Sequence, residues 1–356
     1  MGRASEALYI HGVQISANLK LRLVNEYFLN RRALLVFCFL FAVCSMLLLS
    51  QFPVSDLFGQ KAVVLTFDDG WKSQITNAVP IMDKFGFKAT FFIVCNYQDK
   101  EGRMSWDDVS KLDKLWRYDI QSHTMNHQDL TKLSAKDLEY EVGQSKQCLL
   151  DHGINSTSFA TPLNAGWDNA TVVNMTSKYY DTARSGNGEP MFLNCDKWTE
   201  DQTDCRTYYD NGTLTFANRY SIRGWSHNFY DKKYAHDSNK IMEEFVNVVE
   251  RQSRYNTNQS IDAIPVLIYH KVDSATKDAG TTTTDLFEKE MQYLHDNGFK
   301  VLTMADLQYD ERANRFHVPI LSNTANRSSE LLPPQSANLD NVTNYVPISS
   351  ESNLLL

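Results

Sequence analysis

The sequence predicts an α/β fold, with parallel strands joined by crossover helices in one barrel-sized domain, preceded by one N-terminal transmembrane helix. Short β-rich runs alternate with amphipathic stretches of helical length after the first sixth of the chain. The alternation fills residues 58–312, which is about the 250 residues of a single (β/α) barrel. One run, Ala33 to Leu49, carries no charged residue, and its length reaches the lower end of the roughly 17 to 25 residues that span a bilayer.

The N-terminal segment 1–32 holds Arg3, Lys20, Arg22, Arg31 and Arg32 against Glu6 and Glu26. That bias keeps it cytoplasmic and makes residues 33–52 a signal anchor, with the lipid bilayer as a partner and the domain beyond it outside the cell. The expected location is therefore the cell membrane, single-pass. The alternative is a cleaved secretory signal, which would release the same domain, although such signals have an apolar core of about 7 to 15 residues nearer the N-terminus. Glycosylation acceptor patterns begin at Asn155, Asn169, Asn174, Asn211, Asn258, Asn326 and Asn341, in keeping with export.

KAVVLTF at 61–67 predicts a buried strand, and a helical stretch ending at Gly86 leads into a second strand, ATFFIV at 89–94. Ser105 followed by Asp108, and Ser134 followed by Asp137, have the spacing of capping boxes opening helices. Later strands are expected at DIQSH (119–123), SFAT (158–161), YDTAR (180–184) and AIPVLIYH (263–270), with helices around 236–254 and 285–297. Residues 322–356 are rich in Ser, Asn and Pro and read as a disordered polar tail.

Composition excludes other classes. With 42% hydrophobic, 12% aromatic and 22% charged residues the chain can build a sizeable core. A net charge of -8 argues against nucleic acid as a partner, since phosphate binding relies on clustered Lys and Arg. The six cysteines form no C-x-x-C pair, so no cysteine zinc site is indicated. Cys195 and Cys205 flank a polar stretch that a disulfide could close, and Cys95, at the end of an apolar strand, reads as core packing.

Chemistry concentrates at predicted strand ends. The first strand finishes in T-F-D-D-G, placing Asp68 and Asp69 where α/β enzymes build their sites, with Gly70 allowing a sharp exit. Taken alone this is equally a strand-end turn with a helix-capping Asp. S-H-T-M-N-H offers His123 and His127, two imidazoles able to converge on one cation, although a lone pair of histidines is more often surface or core. Together with Asp69 they form a His-His-Asp set with open positions for water and substrate. P-V-L-I-Y-H ends in His270, either a core histidine or a general acid.

These motifs in this order resemble the polysaccharide deacetylases of carbohydrate esterase family 4, the NodB-homology domain. The resemblance runs over most of 61–308 and includes T-F-D-D-G, K-A-T-F-F-I-V, H-T-M-N-H, L-I-Y-H and the stretch D-L-F-E-K-E-M-Q-Y-L-H-D-N-G-F-K-V-L-T. It implies a distorted (β/α) barrel, commonly seven-stranded, holding a divalent ion: zinc first, with cobalt, nickel or manganese as alternatives. It also implies that Asp69, His123 and His127 hold the metal, Asp68 is the general base, His270 the general acid, and the Leu163 N–H an oxyanion donor.

Two departures stand out. The family's Arg-Pro segment corresponds to F-A-T-P-L-N-A-G, with Ala160 and Thr161 before Pro162, so the arginine that tethers the base is missing there. Trp225, with Pro162, is the candidate for the substrate groove, a core tryptophan being an equal reading of Trp225, and Gly224 occupies the place of the acid that would tune the general acid. The expected function is a membrane-anchored extracellular hydrolase removing N-acetyl groups from polysaccharides or oligosaccharides of amino sugars. The alternatives are an O-acetyl esterase of the xylan type and a catalytically impaired glycan-binding protein.

Overall fold

The structure, a computed structural model, describes residues 61–318 except 187, 189, 194–218, 257–260, 275–277, 279 and 314, together with a two-rung ladder of Tyr9–Ile10 and Val13–Gln14. Eight strands make one sheet: β1 (Ala62–Asp68), β2 (Thr90–Ile93), β3 (Asp119–Ser122), β4 (Ser158–Ala160), β5 (Thr182–Arg184), β6 (Trp225–Ser226), β7 (Val266–Tyr269) and β8 (Lys300–Leu302). Seven run in the order β5-β4-β3-β2-β1-β7-β6, and β8 pairs with the first half of β1. Every pairing is parallel.

The sheet curls on itself. Ala183 N donates to Arg219 O at 2.9 Å and Ile222 N to Ala183 O at 3.0 Å, while Trp225 and Ser226 pair with β7. Residues 219–226 thereby draw the two outer strands of the curl together. This is the expected α/β barrel architecture in the form of a curled seven-strand half-barrel.

Alternation along β1 decides what the site can use. Val63, Leu65 and Phe67 face outward into a core shared with the helices, including Met82, Leu112, Phe245, Phe287 and Met291. Ala62 and Val64 face the interior with Phe92, Ala160, Ile222 and Val266. The same period of two turns Asp68 inward at the C-terminal end. Burial on both faces explains why β1 reads as a continuous apolar run.

The helices are α1 (Val79–Lys84), α2 (Trp106–Lys114), α3 (Ala135–Glu139), α4 (Ser145–Asp151), α5 (Ala170–Thr176), α6 (His227–Lys233), α7 (Ser238–Glu250) and α8 (Thr284–Asp296). Ser105 and Asp108 form the complete capping box at the start of α2. Ser134 caps α3 by accepting from Asp137 N at 3.2 Å. The expected strand 263–270 is split at Pro265. Ala263–Ile264 pairs antiparallel with Met191–Phe192, and Pro265, lacking an N–H, contributes only its carbonyl, to Val64 N at 2.9 Å.

Two expectations are corrected. No helix among the described residues is long and apolar enough to cross a membrane. The longest, α7 and α8, have 13 residues each and are amphipathic; at 1.5 Å per residue they measure about 20 Å against a hydrocarbon core of about 30 Å. Residues 33–52 lie outside the described residues, so the spanning helix, the bilayer partner, the single-pass location and the membrane-anchored form of the enzyme are set aside. Residues 322–356 and the pair Cys195 and Cys205 also lie outside. Cys95 is not simple core packing, because it forms a disulfide with Cys148 across a sequence separation of 53.

Candidate metal and catalytic site

The C-terminal ends of β1, β3 and β7 converge on one cluster. Asp68 is the last residue of β1, and the backbone turns at once, with Asp69 at φ 74° and Gly70 at φ 65°. The turn sends the two adjacent carboxylates to different tasks. Asp69 Oδ2 accepts from Trp71 Nε1 at 3.1 Å, and its backbone carbonyl accepts from Arg103, whose guanidinium stacks 3.2 Å from the Trp71 ring centre.

Asp69, His123 and His127 each offer a ligand atom, all within 4.8 Å of one another. Asp69 Oδ1 lies 3.7 Å from His123 Nε2 and 3.5 Å from His127 Nε2. It is buried and has no hydrogen-bond partner among the described residues, an arrangement costly enough to call for a cation. Ligands about 2.1 Å from a tetrahedral ion sit about 3.4 Å apart, close to the observed spacing. Two imidazole nitrogens and one carboxylate oxygen fit a divalent transition metal.

The imidazoles are oriented from behind. His123 Nδ1 lies 2.8 Å from Ala160 O; a carbonyl only accepts, so Nδ1 carries the proton and Nε2 presents its lone pair to the cluster. Burial, against the pull of Asp68, lowers the His123 pKa to about 4, which keeps the ring neutral. His127 sits at φ 58° in a loop held by buried Glu141, whose carboxylate accepts from Met125 N, Asn126 N and Asn126 Nδ2 at 3.1, 2.8 and 2.7 Å.

Asp68 is nearly as buried, but its partners are charged. Arg184 donates to Oδ1 at 2.5 Å, while Oδ2 lies 3.9 Å from His123 Nε2 and 4.0 Å from His270 Nε2. Burial raises the carboxyl pKa, and Arg184, then His123 and His270, more than reverse this, holding it below the usual range. His270 follows β7 directly, and its buried Nδ1 has no partner among the described residues. Gln74 Nε2 donates to both Asp68 O and His270 O, at 2.6 and 2.9 Å.

The groove candidates fare differently. Leu163 is 63% exposed at φ 56° in the turn after β4, and Pro162 beside it is buried. Trp225 does not line an open groove. It is 1% exposed and packs against Tyr230, His227 and Phe245 in the core. Sequence reasoning missed Arg184, Glu141, Gln74 and Trp71. Arg184 had a usable signal, since it closes the predicted strand YDTAR at the end where sites form.

A family model described as polysaccharide deacetylase matches residues 57–183, the stretch containing both carboxylates and both histidines. The chain carries a polysaccharide deacetylase domain. A Bacillus subtilis protein described as a polysaccharide deacetylase, YxkH, is 28% identical over 88 residues, 25% of this chain and 31% of that one. A bifunctional xylanase/deacetylase of Pseudobutyrivibrio xylanivorans is 25% identical over 83 residues, 23% of this chain and 13% of that one. The matched stretch of the deacetylase domain thus spans less than a third of the length of either relative. A solved Bacillus cereus polysaccharide deacetylase is 29% identical, covering 35% of this chain and 40% of its own, with a TM-score of 0.33.

Proposed function

We propose that this chain is a metal-dependent hydrolase that removes O-acetyl groups from a xylan-type polysaccharide. The observation that carries the metal-dependent part is the unpartnered, buried Asp69 Oδ1 facing two imidazoles. The ester part replaces the N-acetyl amide expected from sequence. It is supported by the xylanase/deacetylase relative and by the state of His270. Expelling an amine demands a proton on nitrogen, whereas a sugar alcohol leaves more readily, and His270 Nδ1 has no carboxylate among the described residues to hold the ring in its protonated form.

In this reading Asp69, His123 and His127 hold the cation, zinc by preference for this donor set. When bound, the ion supplies Lewis acidity towards water and the acetyl carbonyl. Asp68, held ionised by Arg184, takes the proton of the attacking water on Oδ2. His270 Nε2, on the same side of Asp68, delivers a proton to the departing sugar oxygen. The Leu163 N–H is assigned to the developing oxyanion.

Acetate release from acetylated xylan and from N-acetylglucosamine oligomers, with the protein stripped of metal and reloaded with zinc, tests the proposal. Zinc-dependent release from xylan, abolished in Asp68→Asn, is the expected result. Release from the amino-sugar oligomers alone would overturn the ester assignment, and binding of either glycan without release would overturn the enzymatic one.

A further inference from the structure

We infer that Arg184 is the positioning residue for Asp68, reaching it from the strand next to the one where the family's motif would put an arginine, and that the small side chain of Ala160 makes room for it. This rests on the proposed role of Asp68 as base.

Ala160 and Arg184 are register partners in the parallel pair β4–β5. Partners in a parallel pair project on the same face, so both side chains enter the barrel interior at the same level. Ala160 is fully buried in the interior cluster, and Arg184 is 2% exposed. In a flat sheet β5 and β1 would lie about 19 Å apart, four strand spacings, beyond an arginine's reach. The curl brings them within contact. The guanidinium passes 4.8 Å from the Phe92 ring centre and ends on Asp68 Oδ1.

This contact selects which oxygen of Asp68 does chemistry. With Oδ1 taken by Arg184, Oδ2 is the one turned towards His123 and His270. A long side chain at position 160 would occupy the interior that Arg184 crosses, so the two positions are exchangeable in principle: one cation, supplied from either strand. A role as plain ion-pair partner would explain the burial of the guanidinium, but it would make no demand on the turnover of a correctly folded variant.

The test compares zinc-loaded wild type, Arg184→Ala, Arg184→Lys, and Arg184→Ala combined with Ala160→Arg. Arg184→Ala is expected to lower kcat about 100-fold, the scale of a misplacement of about 1 Å, with KM and zinc content little changed. Arg184→Lys and the exchanged double variant are expected to recover much of the lost kcat. Unchanged kcat in Arg184→Ala overturns the inference. Crystal structures of Arg184→Ala and the exchanged variant give a readout independent of turnover: the Asp68 carboxylate should rotate in the first and return in the second. If the wild type releases no acetate, the proposed function fails, while the carboxylate orientation still decides the role of Arg184. An unmoved carboxylate in Arg184→Ala overturns it.

Discussion

Breaking the Cys95–Cys148 bond should cost stability and metal affinity together. Closing a loop over a separation of 53 residues removes denatured-state entropy worth about 4 kcal/mol by the chain-entropy relation. For a domain of this size each kcal/mol moves the melting temperature by about 2–4 °C, so the loss corresponds to roughly 8–16 °C. The bond also stands beside the site. Cys95 N and Asn96 N donate to Thr124 O and Met125 O, at 3.1 and 3.0 Å, in the loop between the two histidines. Cys95→Ala, Cys148→Ala and the double variant are compared by calorimetry, and zinc affinity by chelator competition. Each single variant should lose most of what the double variant loses, because removing either sulfur removes the whole bond. Single losses that are small and strictly additive, or melting of the wild type that is indifferent to reductant, would refute the reasoning.

Two other outcomes follow from the groups around the metal ligands. His123 is held to a pKa of about 4 when folded, below the 6.5 of the unfolded chain. Between these values the unfolded state binds more protons, so the metal-free protein should be fully stabilised above pH 6.5 and lose up to about 3 kcal/mol as pH falls to 4. Urea midpoints across that range measure this, and stability that rises on acidification would contradict it. Glu141→Ala leaves the N–H groups of Met125 and Asn126 without their acceptor, at about 1–3 kcal/mol each, and should weaken zinc binding by about 10–100-fold. Chelator competition reads the effect, and unchanged affinity would show that the histidine loop holds its shape without the carboxylate.

Much of the barrel was legible in the sequence because its strands announce themselves. β1 and β2 are buried on both faces and read as apolar runs, and the cap of α2 is written in Ser105 and Asp108. β6 and β8 were missed because two or three residues carry no periodicity, and their pairing is decided by distant neighbours. The positions of Asp68, Asp69, His123, His127 and His270 could be marked from motif order, since strand ends in such folds meet at one rim. Arg184 could not be assigned to Asp68, because that contact depends on how tightly the sheet curls, which no local pattern encodes. Trp225 stayed undecided between groove and core for a related reason: an isolated tryptophan in a polar stretch gives no sign of which side of a short strand it will occupy. Cys95 and Cys148 were not paired because α4 must first pack against the end of β2 before the two sulfurs become neighbours.

The side chain of Gln74 ties together two strands that approach the site from different parts of the sequence. Its single amide nitrogen serves the carbonyls of both Asp68 and His270, so the residues that would accept and return protons are riveted to a common point. The histidine loop hangs from a separate support, Glu141. Asp69 follows Asp68 directly, so the candidate ligand set is fastened on one side to this block and on the other to the histidine loop. A shift of that loop would move the His127 imidazole while leaving the spacing of donor and acceptor set by Gln74.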